Sequence, residues 1–228
     1  MGKTIAIIPA RSHSGDSIRD DNFLDFIGRP IITYAIEEAK KSKLFDTIHV
    51  STDSNDVSKL AIGMGVHSEF LRPKHLSDDS TQILTVVEWV LEKFGEKNES
   101  FDDIFIILSR FPLLCAKDLK DAYDLYIKRK RKFGLMTVSE SPSRFEKYFR
   151  IKNDILIPID NSCNGILNKN IESSYYNVGI FSIFPNIPLK DKCALKNIAF
   201  KVPFWKSIEI NTDEDLGFSE ILYKALHG

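Results

Sequence analysis

The first half of the chain switches repeatedly between two hydrophobic rhythms. "TIAIIPA" (Thr4 to Ala10) is nearly continuous in apolar residues, as a parallel strand covered on both faces requires. In "PIITYAIEEAKKS", Ile31, Ile32, Ala35, Ile36 and Ala39 fall at helical spacing behind Pro30. "TIHVSTD" predicts a second strand ending in polar residues, "DVSKLAIGMG" a helix closed by glycine, and "VHSEFLRP" a short third strand. "QILTVVEWVLEKFG" then reads as a helix and "DDIFIILS" as a fourth, buried strand. "AKDLKDAYDLYIKRKRK" is an amphipathic helix with a basic end, and "GLMTVS" a fifth strand. This alternation predicts an α/β protein built on a doubly wound, mostly parallel sheet. In such sheets ligands bind beyond the carboxyl ends of the strands, near the switch in strand order. That rule gathers the loop after the first strand, "STDS" and "LSRFPLL" around one crevice.

The rhythm breaks at Glu140. Ser141 to Ser174 carry aromatics, prolines and asparagines but no long helical pattern, so extended ribbons or an excursion from the sheet are expected there. "YYNVGIFSIF" (Tyr175 to Phe184) restores a strand and "FKVPFWKSIEI" gives another. "TDEDLGFSEILYKALHG" is a final helix with a capping box at Thr212 and Asp215. The expected organisation is a single domain over 1–228 with a protruding arm at about 140–176.

At 228 residues such a domain buries enough apolar surface to need neither disulfides nor structural metal. A net charge of −1 gives no whole-molecule field toward nucleic acid or an anionic membrane, so any anion site must be local. "KRKRK" (Lys128 to Lys132) sits at a predicted helix C-terminus, where cations suit the macrodipole, and reads as a solvated end. Cys115, Cys163 and Cys193 are odd in number and widely spaced, which points to reduced thiols. No apolar run reaches the roughly 18 residues of a membrane helix, and the expected setting is the cytoplasm.

The candidate chemistry begins in "IIPARSHSGDSIRDDN". Neither the Walker A spacing nor G-x-G-x-x-G is present. What remains is Arg11 directly after a buried strand, a polar loop, and Asn22. Within that loop Arg11 and Arg19 face Asp16, Asp20 and Asp21, and each uncompensated like charge beside a polyphosphate costs of order 1 to 4 kcal/mol. Three accounts of this acidity stay open: metal ions held by the aspartates, a less charged ligand, or loss of nucleotide transfer. Asp53, ending a strand in "STDS", reads as a support for loop amides. His49 and His67 read as hydrogen-bonding groups only.

"IAIIPARSHS", "GRPIITYAIEEAKKSKLFDTIHVSTDS", "FLRPKHLSDDST" and "NVGIFSI" resemble the acylneuraminate cytidylyltransferases, which activate sialic, pseudaminic and legionaminic acids with CTP. The resemblance is strongest up to about residue 90 and returns around Asn177 and in "EINTDEDL". It implies a Rossmann-like nucleotidyltransferase fold whose arm makes a homodimer and reaches the partner's sugar site. The implied reaction is attack by the sugar's anomeric hydroxyl on the α-phosphate of CTP, with magnesium, releasing pyrophosphate. Arg11 and Ser14 match the arginine and serine of the A-R-x-G-S-K signature, implying catalytic and phosphate-binding roles. Asn22 matches a nucleotide contact, Arg72 the arginine that reads cytosine, and Ser80 and Thr81 the ribose and base region. Glu209-Ile210-Asn211 stands for the metal-binding D-x-D, and strand alternation would put Glu209 and Asn211 on one face. The chain also departs from the pattern. Gly15 and Asp21 replace two lysines, and "LSRFPLLC" keeps only Pro112 and Leu113 of L-Q-P-T-S-P-L-R while adding Arg110. Two readings follow: a CMP-transferring enzyme, or a homologue that binds a sugar or nucleotide, or acts as a partner subunit, without transfer.

Overall fold

Strand β1 (Thr4–Pro9) is flanked on both sides in the sheet, and its side chains from Ile5 to Ile8 are all inaccessible to solvent. Two-residue alternation sends Ile5 and Ile7 to one face and Ala6 and Ile8 to the other, and each face has its own core. The computed structural model describes residues 2–12, 22–68, 70–78, 80–142, 149–152, 154–159, 173–188, 191–192 and 195–227. Further strands are β2 (Asp25–Phe26), β3 (Arg29–Pro30), β4 (Thr47–Ser51), β5 (Asp103–Ile107), β6 (Gly134–Glu140), β7 (Phe149–Lys152), β8 (Ile155–Pro158), β9 (Tyr175–Pro185) and β10 (Asn197–Lys201). Six of them form one sheet in the order β10-β6-β9-β5-β1-β4, parallel except for β9.

The helices cover both faces. α1 (Ile32–Ser42), α2 (Asn55–Gly63) and α4 (Ala116–Lys128) pack on the Ala6–Ile8 side. α3 (Ile83–Gly95) closes the other side through Val87, Val90 and Phe94. A third cluster of Phe26, Ile31, Tyr34 and Ile210 receives Tyr223 from α5 (Asp213–His227). Its rings meet edge to face at 5.0 to 5.5 Å, favourable quadrupole geometry that anchors the C-terminal helix beside the opening of α1. β2 and β3 pair through a two-residue turn with Ile27 and Gly28 both at positive φ, the twist a tight hairpin needs.

The doubly wound, mostly parallel sheet expected from the sequence is the observed fold. Two expected strands differ. Among its described residues "VHSEFLRP" makes only an isolated bridge, His49 to His67. Ser68 Oγ donates to the Val50 carbonyl and accepts no ladder role, while Ser58 Oγ takes the Ser68 carbonyl, so hydroxyls replace strand pairing. In "FKVPFWKSIEI" the strand starts earlier, at Asn197, and ends at Lys201. Pro203 cannot donate to a ladder, and Phe204–Lys206 turn as a 3₁₀ segment. Glu209 and Asn211 are therefore not on a strand, and the alternation expected to align them does not apply. The final helix does begin with the expected capping box: Asp215 N donates to Thr212 Oγ1 (3.2 Å) and Thr212 N to Asp215 Oδ2 (3.0 Å).

Within the arm the described residues include the β7–β8 hairpin, which exposes Ile151, Ile155, Leu156 and Ile157. Among the described residues no helix is long and apolar enough to cross a membrane.

Candidate active site

A cavity of about 230 Å³ opens beyond the carboxyl ends of β1 and β5. Arg11, Asn22, Arg72, Thr81, Arg110 and Glu209 all line it. The sheet accounts for this convergence. Arg11 follows β1, Arg110 follows β5 by three residues, and Arg72 is drawn in where its backbone N–H bonds the Thr52 carbonyl past the end of β4 (2.7 Å).

Arg72 is buried, and its guanidinium is fixed by Nε donating to Ser51 Oγ (3.3 Å) and Nη2 donating to the Ser51 carbonyl. Burial holds this group below its ordinary pKa, Asp53 pulls the other way, and Arg11 adds like-charge repulsion. Two arginines crowding a partly dry cavity make it receptive to an anion. Asn22 is buried at the mouth, with Nδ2 donating to the Arg11 carbonyl (2.8 Å) and Oδ1 accepting from Ser109 Oγ (3.3 Å). Its carboxamide ties the loop after β1 to the loop after β5. Asp53 has the supporting role expected of it: its carboxylate accepts from Ser12 N and Ser12 Oγ (2.5 and 2.6 Å), holding the first residue after Arg11.

Ser80 and Thr81 separate. Thr81 lines the cavity; Ser80 does not. Both hydroxyls donate to Asp78 Oδ1 (2.8 Å each), a carboxylate that also lines the cavity. Hydrogen bonds from Thr81 and then Ser80 hold Asp78 below the usual carboxylate range. Arg110 and Ile210 clamp each other: Ile210 N donates to the Arg110 carbonyl (3.1 Å), and Arg110 Nη2 donates to the Ile210 carbonyl. This fixes Glu209 at the cavity wall. Asn211 is not brought to the wall. Its N–H donates to Asp215 Oδ2 (3.1 Å) at the start of α5. Ser14, with Gly15, Asp16, Asp20 and Asp21, lies outside the described residues, so the expected roles of Ser14 and of the acidic loop are not tested by this geometry. Among the described residues no group of three His, Cys, Asp or Glu side chains could hold a metal.

Three features away from the cavity were not expected from the sequence. Asp103, fully buried at the start of β5, accepts from Tyr123 OH (2.8 Å), Tyr126 OH (3.1 Å) and Arg131 Nε (3.0 Å). Arg131 thus leaves the solvated "KRKRK" run, whose other members are exposed. His49 is fully buried between Phe70 and Phe94, stacked on the first at 4.6 Å. Cys115 is a free thiol at the N-cap of α4, in contact with Asp118 and Lys206; Cys163 and Cys193 lie outside the described residues.

An open, mostly parallel sheet with one antiparallel strand, and an arginine-lined cavity beyond its leading strands, define an α/β protein with a site suited to an anionic ligand. Comparison with known proteins narrows this. A family model described as cytidylyltransferase matches residues 5–156, and the chain belongs to that family. It is 30% identical over 229 residues to a pseudaminic acid cytidylyltransferase of Campylobacter jejuni, covering 99% of this chain and 98% of the relative. It is 27% identical over 140 residues to a CMP-N,N'-diacetyllegionaminic acid synthase of Legionella pneumophila, covering 61% and 58%. The fold is shared with a solved structure of CMP:2-keto-3-deoxy-manno-octonic acid synthetase complexed with CTP. The TM-score is 0.73 at 14% identity, covering 98% and 99% of the two chains.

Proposed function

We propose that the protein transfers CMP from CTP to a nonulosonic, sialic-type acid and releases pyrophosphate. The observation that carries this is the meeting of Arg11, Asn22 and Arg72 at one cavity, in a chain matched end to end by a pseudaminic acid cytidylyltransferase. Arg11 sits at the mouth as a phosphate partner. The part of the Arg72 guanidinium not bound to Ser51 presents fixed donors to the base, and Thr81 offers a hydroxyl to the ribose. Phosphoryl transfer of this type asks little covalent chemistry of the protein; positioning and charge do most of it. The relatives lend no support to the reading of a non-transferring homologue, since they are named as cytidylyltransferases and synthases.

Magnesium enters the proposal through Glu209 alone. Asn211 does not line the cavity, its side-chain Nδ2 donating to the Glu209 carbonyl (3.5 Å), so the pair read from the sequence is reduced to one carboxylate at the wall. Magnesium commonly binds through one or two carboxylates plus substrate phosphates, and an ion arriving with the triphosphate would neutralise phosphate charge. We also assign the exposed Ile151, Ile155, Leu156 and Ile157 of the arm to a homodimer contact, and the protein to the cytoplasm, where its nucleotide substrate is made.

The test is thermal stabilisation by CTP with magnesium, followed by pyrophosphate release with pseudaminic, legionaminic and N-acetylneuraminic acids. CTP at 100 times its Kd should add about 2.7 kcal/mol of stability. Absence of stabilisation by any nucleotide would remove the proposal. Stabilisation without pyrophosphate release from any of the sugars would favour the non-transferring homologue instead.

A further inference from the structure

At the other end of the sheet from the nucleotide cavity, β10 forms an edge. Asn197 and Gly134 are the first residues of β10 and β6 and pair with each other, so this corner lies at the amino ends of the parallel strands. Gly134 N donates to the Lys196 carbonyl, and Val202 N to the Val138 carbonyl. By the two-residue period of a parallel ladder, Lys196, Ile198, Phe200 and Val202 turn their backbone groups toward β6. Asn197, Ala199 and Lys201 turn theirs outward. Among the described residues no strand pairs with that outer side.

Beside this edge lies a cavity of about 430 Å³, lined by Leu125, Phe133, Ile198 and Ala199 together with Arg129 and Lys196. The end of α4 adds exposed Lys128, Lys130 and Lys132. Asp124, one turn before Lys128, is the acidic residue nearest to them along that helix. Lys130 and Arg131 both hold left-handed backbone (φ 58° and 56°), unusual for consecutive non-glycine residues. The turn is fixed by Arg131 reaching in to Asp103, which leaves its neighbours directed to solvent. Backbone strain of this kind persists where surrounding structure enforces it, and it is a reason to look for function.

We propose that the outer edge of β10, with the basic corner beside it, docks an extended acidic segment of another protein by strand addition. Strand addition uses the outward N–H and C=O groups for affinity and adjacent pockets for alternate side chains. Charge decides the occupant. A second copy's β10 would bring Lys196, Lys201 and the α4 lysines against their own kind, whereas an acidic strand meets opposite charge. Because the corner is remote from the nucleotide cavity, docking leaves CTP binding unchanged.

The test uses a fluorescein-labelled peptide of about eight alternating valine and glutamate residues, a common strand length, read by anisotropy at low and physiological salt. Expected are saturable binding that weakens with salt, a tenfold or greater loss in Lys196→Glu with Arg129→Glu, and a similar loss in Ala199→Pro. Proline at 199 removes an outward donor and no ladder bond, so the sheet should persist, as circular dichroism would check. Should that variant fail to fold, N-methylating alternate amides of the probe makes the same test on the unaltered protein. No binding of the acidic peptide, equal binding of a valine–lysine peptide, or full binding of the N-methylated probe would each overturn the proposal.

Discussion

Replacing Arg72 by methionine should separate binding from folding. Arg72 is only 6% exposed, so a first expectation is that its removal damages the core. The local bonds argue otherwise. When Arg72 is gone, the Ser51 carbonyl still accepts from Ala10 N (2.9 Å), and the bond lost is the one from Arg72 Nε to the buried Ser51 Oγ. Relief of desolvation and of repulsion from Arg11 offsets the lost donor bonds. The unliganded protein should therefore lose about 1 to 2 kcal/mol, the lower part of the cost of leaving one buried polar group unpaired. Binding behaves differently, because a hydrogen bond from a charged group to ligand is worth about 1.5 to 3 kcal/mol, or about 10- to 100-fold in Kd. Urea unfolding without ligand and calorimetric titration with CTP measure the two effects. Arg72→Lys keeps charge but not the planar fork and should fall between. Unchanged CTP affinity in the methionine variant, or a stability loss of core size (about 3 kcal/mol or more), would refute this account of Arg72.

Asp103→Asn should cost about 2 to 3 kcal/mol in urea unfolding, below the full penalty for breaking a buried pair because Arg131 is partly solvated, while leaving pyrophosphate release intact. Burial, followed by the bond to Asp103, pushes Tyr123 up to about 12, and burial pushes Tyr126 higher still. Each tyrosine ionises later in the folded than in the unfolded chain, so its stabilisation is complete below pH about 10 and falls as pH rises toward about 12. Melting temperatures across that range should drop, and Tyr123→Phe should flatten the drop; an unchanged slope would contradict the network. Ile151→Glu with Leu156→Glu on the arm should lower the mass seen by light scattering to that of one chain if the hairpin makes the homodimer, and an unchanged mass would exclude that contact.

The parts of the fold that were legible share a physical cause. β1 and β5 are covered on both faces, so their buried residues form continuous apolar runs that no competing pattern imitates. Arg11 was legible as a cavity residue for the same reason, since it directly follows such a run, whereas Arg110 stood out only as an added charge in the loop after β5. What failed was pattern without partner. "VHSEFLRP" has strand composition, but the hydroxyls of Ser58 and Ser68 take the carbonyls a ladder would use. "EIN" has the spacing of a strand, yet Pro203 had already ended pairing and Asn211 belongs to the cap of α5. The pairing of Asp103 with Arg131 spans 28 residues and leaves no local trace. Asp78, by contrast, left one: an aspartate two and three residues before Ser80 and Thr81 is a turn motif whose hydroxyl bonds follow from its spacing.

The described wall of the cavity carries little acidity to oppose a triphosphate. Its acidic side chains are Asp78 and Glu209, and Asp78 already accepts from the hydroxyls of Ser80 and Thr81. Glu209 remains, and a carboxylate there suits the cation that accompanies a triphosphate. Against it stand Arg11, Arg72 and Arg110, one of them not part of the family signature. A lysine is a mobile point charge, whereas these guanidinium groups are held: Arg72 on Ser51 and Arg110 on Ile210. Fixed donors in a partly dry cavity cost no reorganisation when charge arrives, so fewer cations of this kind can do what more numerous flexible ones do elsewhere.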